Sequence, residues 1–187
     1  MAEFECRIGS GEGAKAKQAA TNYKAPRNPV DGKPDFSGIW EPRNTAYGSL
    51  EAHSASKGIR AGVSVIVDPA DGKIPYKPEA LKKRDENFKN REKLDPVNKC
   101  YTPGVPRVMT MNYPFEIFQT PKQIQILSEF AHTTRNVYVD SPRGHIAEGE
   151  VEFWIGDARA KWEGDTLVID NANFHPDTWL GHVRQLP

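Results

Sequence analysis

One segment of this sequence brings together three side chains that could carry out acid–base chemistry. Glu129, His132 and Arg135 lie close together in a stretch otherwise rich in Ile, Leu and Phe. If they face the interior of a β-barrel, Glu129 or His132 would serve as a base while Arg135 holds a carboxylate or an oxyanion. The alternative is a buried Glu129–Arg135 ion pair, because the strand period of two places both on one face. The pattern therefore predicts either a catalytic group or a structural ion pair.

Two further groups combine acidic residues with histidine around turns, a pattern that suits metal binding or the activation of a water. Such acidic residues also cap turns without any other role. No two of the five histidines are spaced i, i+2 or i, i+4, so a histidine-based site must be assembled from distant segments. The sequence identifies no cofactor, and Ca²⁺ or Zn²⁺ is the metal that such ligands would hold. The candidate metal ligands are Asp140, His145, Asp170, His175 and Asp177, and His145 is also a candidate catalytic residue.

Four aromatic side chains are candidates for lining a ligand cavity. They fall within or beside predicted strands, where they would either surround a small, partly apolar molecule or form ordinary core. The sequence has no Gly-x-Ser-x-Gly elbow, phosphate-binding loop, dinucleotide fingerprint or His-Glu-x-x-His helix, which disfavours the enzyme classes that these motifs mark. The candidate ligand-binding residues are Trp40, Tyr138, Trp154 and Trp162.

Short runs of β-forming residues separated by turn residues predict a mainly β fold, an antiparallel meander that forms a lipocalin-like barrel or sandwich. One peripheral α-helix is predicted over residues 78–94, with Pro at its start and Asp95-Pro96 after its end. Its apolar stripe is narrow, so we expect one face to dock and the remainder to be solvated. The predicted strands are residues 63–67, 115–119, 123–130, 136–140, 151–155, 160–162 and 166–170.

Composition favours one domain of ordinary size. The chain of 187 residues carries 25 basic and 25 acidic side chains, so the net field that attracts nucleic acid is missing. No apolar run reaches the roughly 18 residues of a membrane span, and the first residues lack an export signal.

The two cysteines, in dissimilar settings, are expected to be free thiols. We expect a disordered arm at residues 1–34, whose first residues look like an added leader, a β-rich domain at residues 35–180 and a non-native tail at residues 181–187.

Three motifs resemble those of a family of uncharacterised bacterial proteins, most of which are predicted to be exported. They are the FSGIW run at residues 36–40, the Cys and Pro-Arg segment at residues 100–107, and the WEGDTLVID run at residues 162–170. The resemblance extends over about residues 35–180. It implies a periplasmic or secreted parent protein and no settled activity. Residues 38–40 also resemble the Gly-x-Trp opening of lipocalin-like barrels, in which the indole closes one end.

The last residues depart from the family pattern, which continues past Trp179 with an aspartate, a Gly-Asn-Phe-like turn and further strands. One G inserted before codons for Asp-Met-Ser-Gly-Asn-Phe yields Gly-His-Val-Arg-Gln-Leu, the sequence of residues 181–186, and leaves a C that can begin the codon of Pro187. We therefore expect a frameshifted, truncated family member. A sheet that has lost its last strands exposes unpaired backbone groups, so we also expect a homo-oligomer formed by strand pairing at the open edge.

Three functions follow from these observations. The leading prediction is a barrel-like protein that binds a small, partly apolar ligand. The second is a small-ester or lactone hydrolase, in which Glu129, His132 or His145 activates water and Arg135 or a bound cation stabilises the oxyanion. The third is a self-assembling structural protein. The expected partners are a small molecule and a second copy of the chain, with neither nucleic acid nor membrane among them.

Overall fold

A computed structural model of the chain describes residues 24–56, 59–147, 149–181 and 184–185. One six-stranded sheet has the strand order β1-β2-β3-β4-β5-β6, and β7 and β8 form a separate ribbon. The predicted arm and tail lie partly outside the described residues, at residues 1–23 and at 182, 183, 186 and 187. The strands are β1 (Gly38–Trp40), β2 (Phe115–Gln119), β3 (Gln123–Ser128), β4 (Thr133–Val139), β5 (Asp157–Glu163), β6 (Thr166–Ala172), β7 (Trp179–Gly181) and β8 (Arg184–Gln185). The α-helices are α1 (Pro78–Lys89), α2 (Arg91–Leu94) and α3 (Arg107–Thr110), and 3₁₀ helices span Pro96–Lys99 and Phe130–His132.

The mainly β prediction is confirmed, and the sheet is mixed. Strands β1 to β4 pair antiparallel in sequence, as do β5 and β6, but β4 and β5 are parallel. The chain between β4 and β5 must therefore cross from one end of the sheet to the other, which a meander does not require. Strands β1 to β6 form an open sheet with β1 and β6 at its edges. Among the described strands this sheet does not close into a barrel.

One face of the sheet is the core. Alternate residues on each strand point to the same side, so the buried apolar side chains of the central strands form one layer. Phe36, Trp40 and Met109 pack against this layer from outside the central strands, and Trp162, Leu167 and Ile169 extend it along β5 and β6. The buried members are Phe115, Ile117, Ile124, Ile126, Val137, Val139, Ala158 and Ala160.

Two predicted strands are wrong. Residues 63–67 are extended but belong to no ladder, and Val63 and Val67 are largely exposed. Residues 151–155 form a turn whose contact with β structure is an isolated bridge between Phe153 and Phe174. β-branched and aromatic residues favour strands only where a neighbouring strand supplies hydrogen bonds and packing. Among the described residues, each segment makes isolated backbone hydrogen bonds, such as Val65 N–H to the Leu50 carbonyl, but neither pairs with a strand along its length, so propensity alone misled the prediction.

The predicted helix over residues 78–94 is confirmed as two pieces, α1 and α2, separated at Asn90. The narrow apolar stripe expected to dock consists of Leu81, Phe88 and Leu94. That prediction is wrong, because all three side chains are exposed by more than a third. Asn87 is the buried residue of α1 instead. Three apolar side chains spaced over the whole length were too few to decide which face of a highly charged helix docks.

Residues 24–34, which belong to the predicted arm, contact the turn between β5 and β6. Both terminal nitrogens of Arg27 donate to the Asp165 carboxylate, at 2.7 and 2.6 Å, and Asn28 is buried. This is an exposed, doubly hydrogen-bonded ion pair, since both side chains are about half exposed or more, and such pairs contribute little to stability. Within the described part of the chain, no helix has the length and apolar character to cross a membrane.

Candidate functional site

A cleft of about 460 Å³ lies at one end of the sheet face that points away from the core. Its floor is a cross-strand row in which Ile39 pairs with Glu116, Glu116 with Leu127, and Leu127 with Thr134. Side chains paired across strands share a face, so the row combines two apolar groups with a carboxylate and a hydroxyl. We call this hollow the sheet-end cleft. Its lining residues are Ile39, Pro114, Phe115, Glu116, Leu127, Ser128, Glu129, His132, Thr133 and Thr134.

The turn between β3 and β4 borders the cleft, which is open to solvent, and brings in Glu129 and His132. Ala131 and His132 both have positive φ, 56° and 46°, a conformation that costs free energy in residues other than glycine. The turn is held by a 3.1 Å hydrogen bond from the Glu129 N–H to the Pro114 carbonyl. The rings of Tyr113 and Phe130 also pack at 5.0 Å. A turn fixed in this way sets the two ionisable side chains at the rim of the cleft.

Arg135 does not join Glu129 and His132 in the cleft. It pairs with Ile126, a core residue, so its side chain lies on the opposite face of the sheet. Strand β3 ends at Ser128, which leaves Glu129 exposed in the turn and outside the strand alternation. The predicted shared phase of Glu129 and Arg135 is therefore wrong, because the strand stops before Glu129. The predicted catalytic set is divided between the two faces.

A second group of ionisable side chains surrounds His145, in the crossover between β4 and β5. His145 Nε2 lies 3.1 Å from Asp170 Oδ2, and its Nδ1 lies 3.4 Å from Asp157 Oδ2. Arg159 Nη1 donates to the other oxygen of Asp157. We call His145, Asp157, Arg159 and Asp170 the His145 cluster. It joins two residues predicted from sequence, His145 and Asp170, to two that were not, and none of the four lines the sheet-end cleft.

Asp157 is the buried centre of this cluster, with 8% of its side chain exposed. Burial raises the pKa of its carboxyl, but other contacts lower it by more. These contacts are the 3.1 Å hydrogen bond from the Ile146 N–H, the charge and hydrogen bond of Arg159, and the contact with His145. The net pKa of Asp157 lies below its ordinary value. The carboxylate thus stays ionised beside His145, whose Nδ1 lies 3.4 Å away without hydrogen-bonding geometry, while Nε2 of the same ring contacts Asp170.

The predicted metal ligands are not brought together. His175 stacks on Trp154 with ring centroids 4.3 Å apart, and its Nδ1 accepts a 3.2 Å hydrogen bond from the Asp177 N–H. Asp140 is at the end of β4 with a φ of 48°. In the chain as described, no group of three or more His, Cys, Asp or Glu residues is placed to hold a metal ion. Of the five candidates, His145 and Asp170 are in contact through their side chains, whereas the His175–Asp177 contact uses the Asp177 backbone N–H.

The four predicted ligand-binding aromatics are also dispersed. Trp40 packs on the core, where its Nε1 donates to the Phe36 carbonyl at 2.8 Å. Trp162 stacks on Phe36 at 5.7 Å, and Trp154 lies between His175 and Tyr101. Tyr138 is on the outer face, with the Arg159 guanidinium 5.0 Å from its ring centre. None of these four lines the sheet-end cleft.

Two features of the structure were missed from sequence. Arg107 is fully buried and donates to both oxygens of the buried Asp95 at 2.7 and 2.9 Å. The basic residue in an otherwise apolar, proline-rich segment was the signal that could have flagged it. A second hollow, of about 470 Å³, lies beside the start of α1, where the Arg84 guanidinium is 5.6 Å from the Tyr76 ring centre. No spacing in the sequence indicates that hollow.

Comparison of this chain with protein-family models, curated proteins and solved structures found no match. Function must therefore be inferred from the geometry of the chain itself. The sheet-end cleft is the hollow that contains predicted catalytic residues, Glu129 and His132. The His145 cluster supplies a buried carboxylate beside an imidazole.

Proposed function

We propose that this protein binds a small, partly apolar molecule in the sheet-end cleft. The observation that carries the proposal is the cleft itself, at about 460 Å³, with Ile39 and Leu127 on its floor. Ligand sites typically measure about 300–1,000 Å³ and combine an apolar lining with a few polar groups. Ile39 is 78% exposed, an unusual state for isoleucine that a ligand would relieve.

The charges around the cleft favour a ligand with a positive end. Its ionisable lining groups are Glu116, Glu129 and His132, with no lysine or arginine among the lining residues. An ammonium group placed between the carboxylates would gain from both, and its apolar body would cover Ile39 and Leu127. A carboxylic acid of the same shape would be repelled. We propose a small amine with a hydrocarbon body as the ligand class.

Calorimetric titration with phenethylamine, phenethyl alcohol and hydrocinnamic acid tests this proposal, because the three differ mainly in the polar end. We expect the amine to bind at least about tenfold more tightly than the acid. Leu127→Thr and Glu129→Gln are each expected to weaken amine binding several-fold, through lost apolar contact and lost charge. Val168→Thr and Glu163→Gln are the matched controls on the same sheet, outside the cleft. Equal binding of amine and acid, or equal loss in the controls, would contradict the proposal.

A second candidate is the hydrolysis of a small ester or lactone, which the Asp157–His145 contact favours. Chromogenic esters and lactones, incubated with the same protein preparations with and without EDTA, separate the two candidates. The binding proposal expects no turnover above a heat-treated control. Turnover that is lost in His145→Ala would establish the hydrolase instead, and loss in His132→Ala would locate it in the cleft.

We also propose that the open sheet is completed by a second copy of the chain. Strands β1 and β6 each have one neighbour among the described strands, and backbone groups on an unpaired edge attract another strand. The lipocalin-like barrel or sandwich expected from the sequence would then be formed between protomers. Light scattering should show a dimer or higher oligomer. A monomer at high concentration would contradict this part of the proposal.

A further inference from the structure

The outer face of the sheet carries three amide side chains between two exposed aromatic rings. Phe118 pairs with Gln125 and Gln125 with Asn136, and Gln123 pairs with Tyr138 one row further along. Residues paired in this way or spaced by two lie on one face. Phe118 and Tyr138 are 48% and 43% exposed, although large aromatic side chains are usually more buried. We call these five residues the amide platform.

The three amides hold one another in fixed orientations. The Nε2 groups of Gln123 and Gln125 both donate to Asn136 Oδ1, at 3.0 and 2.9 Å. One carbonyl oxygen has two lone pairs, so it can accept both bonds. The Oε1 atoms of the two glutamines and the Nδ2 of Asn136 have no hydrogen-bond partner in the described part of the chain. The platform thus presents two acceptors and one donor group whose directions are already set.

The rings on either side of the amides differ in what they offer. Phe118 makes no ring stacking or cation contact with any described residue, so its face is available to a ligand. The ring of Tyr138 is covered on one side by Arg159, at 5.0 Å. Tyr138 therefore offers its edge and hydroxyl, while Phe118 offers a flat apolar surface. A ligand that spans both must be apolar on one face and hydroxylated at its edges.

We infer that the amide platform binds a neutral oligosaccharide. A pyranose ring has a face of C–H groups, which are attracted to the negative face of an aromatic ring, and edge hydroxyls that both donate and accept hydrogen bonds. None of the five platform side chains is ionised, and the Arg159 guanidinium beside Tyr138 is already paired with Asp157, so the site gives little advantage to a charged polymer. Phe118 and Tyr138 are two strands and two residues apart, roughly 12 Å from strand spacing and rise, a span that a short glycan covers. This site is separate from the proposed amine site, whose lining includes none of the platform residues.

Affinity electrophoresis in native gels tests the inference, with dextran, mannan, xyloglucan or mixed-linkage β-glucan as the probe. At least one of these neutral polysaccharides is expected to retard the protein relative to serum albumin. Phe118→Ala and Asn136→Ala should each raise the dissociation constant about tenfold, because one removes the stacking surface and the other the acceptor that orients both glutamines. Phe118→Trp should keep the retardation. Lys161→Ala, on the same outer face but outside the platform, is the matched control.

Two results would overturn the inference. One is that no neutral polysaccharide retards the protein. The other is that retardation is unchanged in both Phe118→Ala and Asn136→Ala while their circular dichroism matches the parent. Leu127→Thr alters the sheet-end cleft and none of the platform residues, so it should leave retardation unchanged. Failure of the amine proposal can therefore be distinguished from failure of the glycan inference.

Discussion

Replacing Arg107 with methionine is expected to lower the free energy of unfolding by about 3–5 kcal/mol, the largest effect of any single substitution considered for this protein. The guanidinium is fully buried, and two of its nitrogens bond the Asp95 carboxylate, which is 3% exposed. Methionine preserves much of the side-chain volume but leaves a buried carboxylate without its cation. The same carboxylate accepts the Val97 N–H at the start of a 3₁₀ helix, so the damage should extend to that turn.

Denaturant unfolding followed by circular dichroism measures this loss. Arg91→Met is the matched control, since Arg91 contacts the Phe88 ring at 4.5 Å on an exposed helix and should cost less than about 1 kcal/mol. In the double variant Asp95→Asn with Arg107→Met, part of the stability should return because no unpaired charge is left buried. Equal losses for Arg107→Met and Arg91→Met would show that the Arg107–Asp95 pair is not buried in solution.

Asp157→Asn should cost about 2 kcal/mol at neutral pH, the second largest effect, since hydrogen bonds to charged groups contribute roughly 1.5–3 kcal/mol. The carboxylate accepts hydrogen bonds from Arg159 and from the Ile146 N–H and lies against His145, so the substitution weakens three contacts of the His145 cluster. Asp170→Asn is the matched control. Asp170 also contacts His145, but 81% of its side chain is exposed, and its loss should change stability by less than about 0.5 kcal/mol.

The pH dependence of the Asp157→Asn effect has a definite sign. Because the pKa of Asp157 is lower in the folded state than in the unfolded state, the unfolded chain binds more protons between the two values. The stabilisation is therefore complete above the unfolded pKa, about 3.9, and is lost as pH falls through the folded value. The stability difference between parent and variant should be largest above about pH 4 and shrink below it. A difference that grows on acidification would contradict the contacts assigned to Asp157.

Local sequence signals predicted the hairpins well and long-range pairing poorly. The β2–β3 hairpin lies where strands were predicted at residues 115–119 and 123–130, and the chain turns at Thr120-Pro121-Lys122 between them, since a turn is encoded within a few residues. The parallel pairing of β4 with β5 depends on a crossover with no distinctive pattern. Residues 63–67 show the opposite failure, because strand propensity was present and a partner strand was not.

In the candidate site, too, the contacts between distant segments were the part that the sequence did not predict. His145 and Asp170 meet because β6 and the crossover lie side by side, a long-range contact that no spacing in the sequence indicates. Arg135 was predicted to share a face with Glu129 because β3 was expected to continue through Glu129. The strand ends one residue earlier, at Ser128. The positive φ values of Ala131 and His132 could not be predicted from sequence, because alanine and histidine rarely adopt that conformation.

The most direct test of the amine-binding proposal is a ¹H–¹⁵N correlation spectrum recorded during titration with phenethylamine. We expect saturable shifts in the backbone amides of the cleft floor, Ile39, Glu116, Leu127 and Thr134, and in those of Glu129 and His132 at its rim. Hydrocinnamic acid at the same concentrations should leave those signals in place. Absence of shifts at the cleft, or shifts confined to residues 140–147 and the His145 cluster, would contradict it.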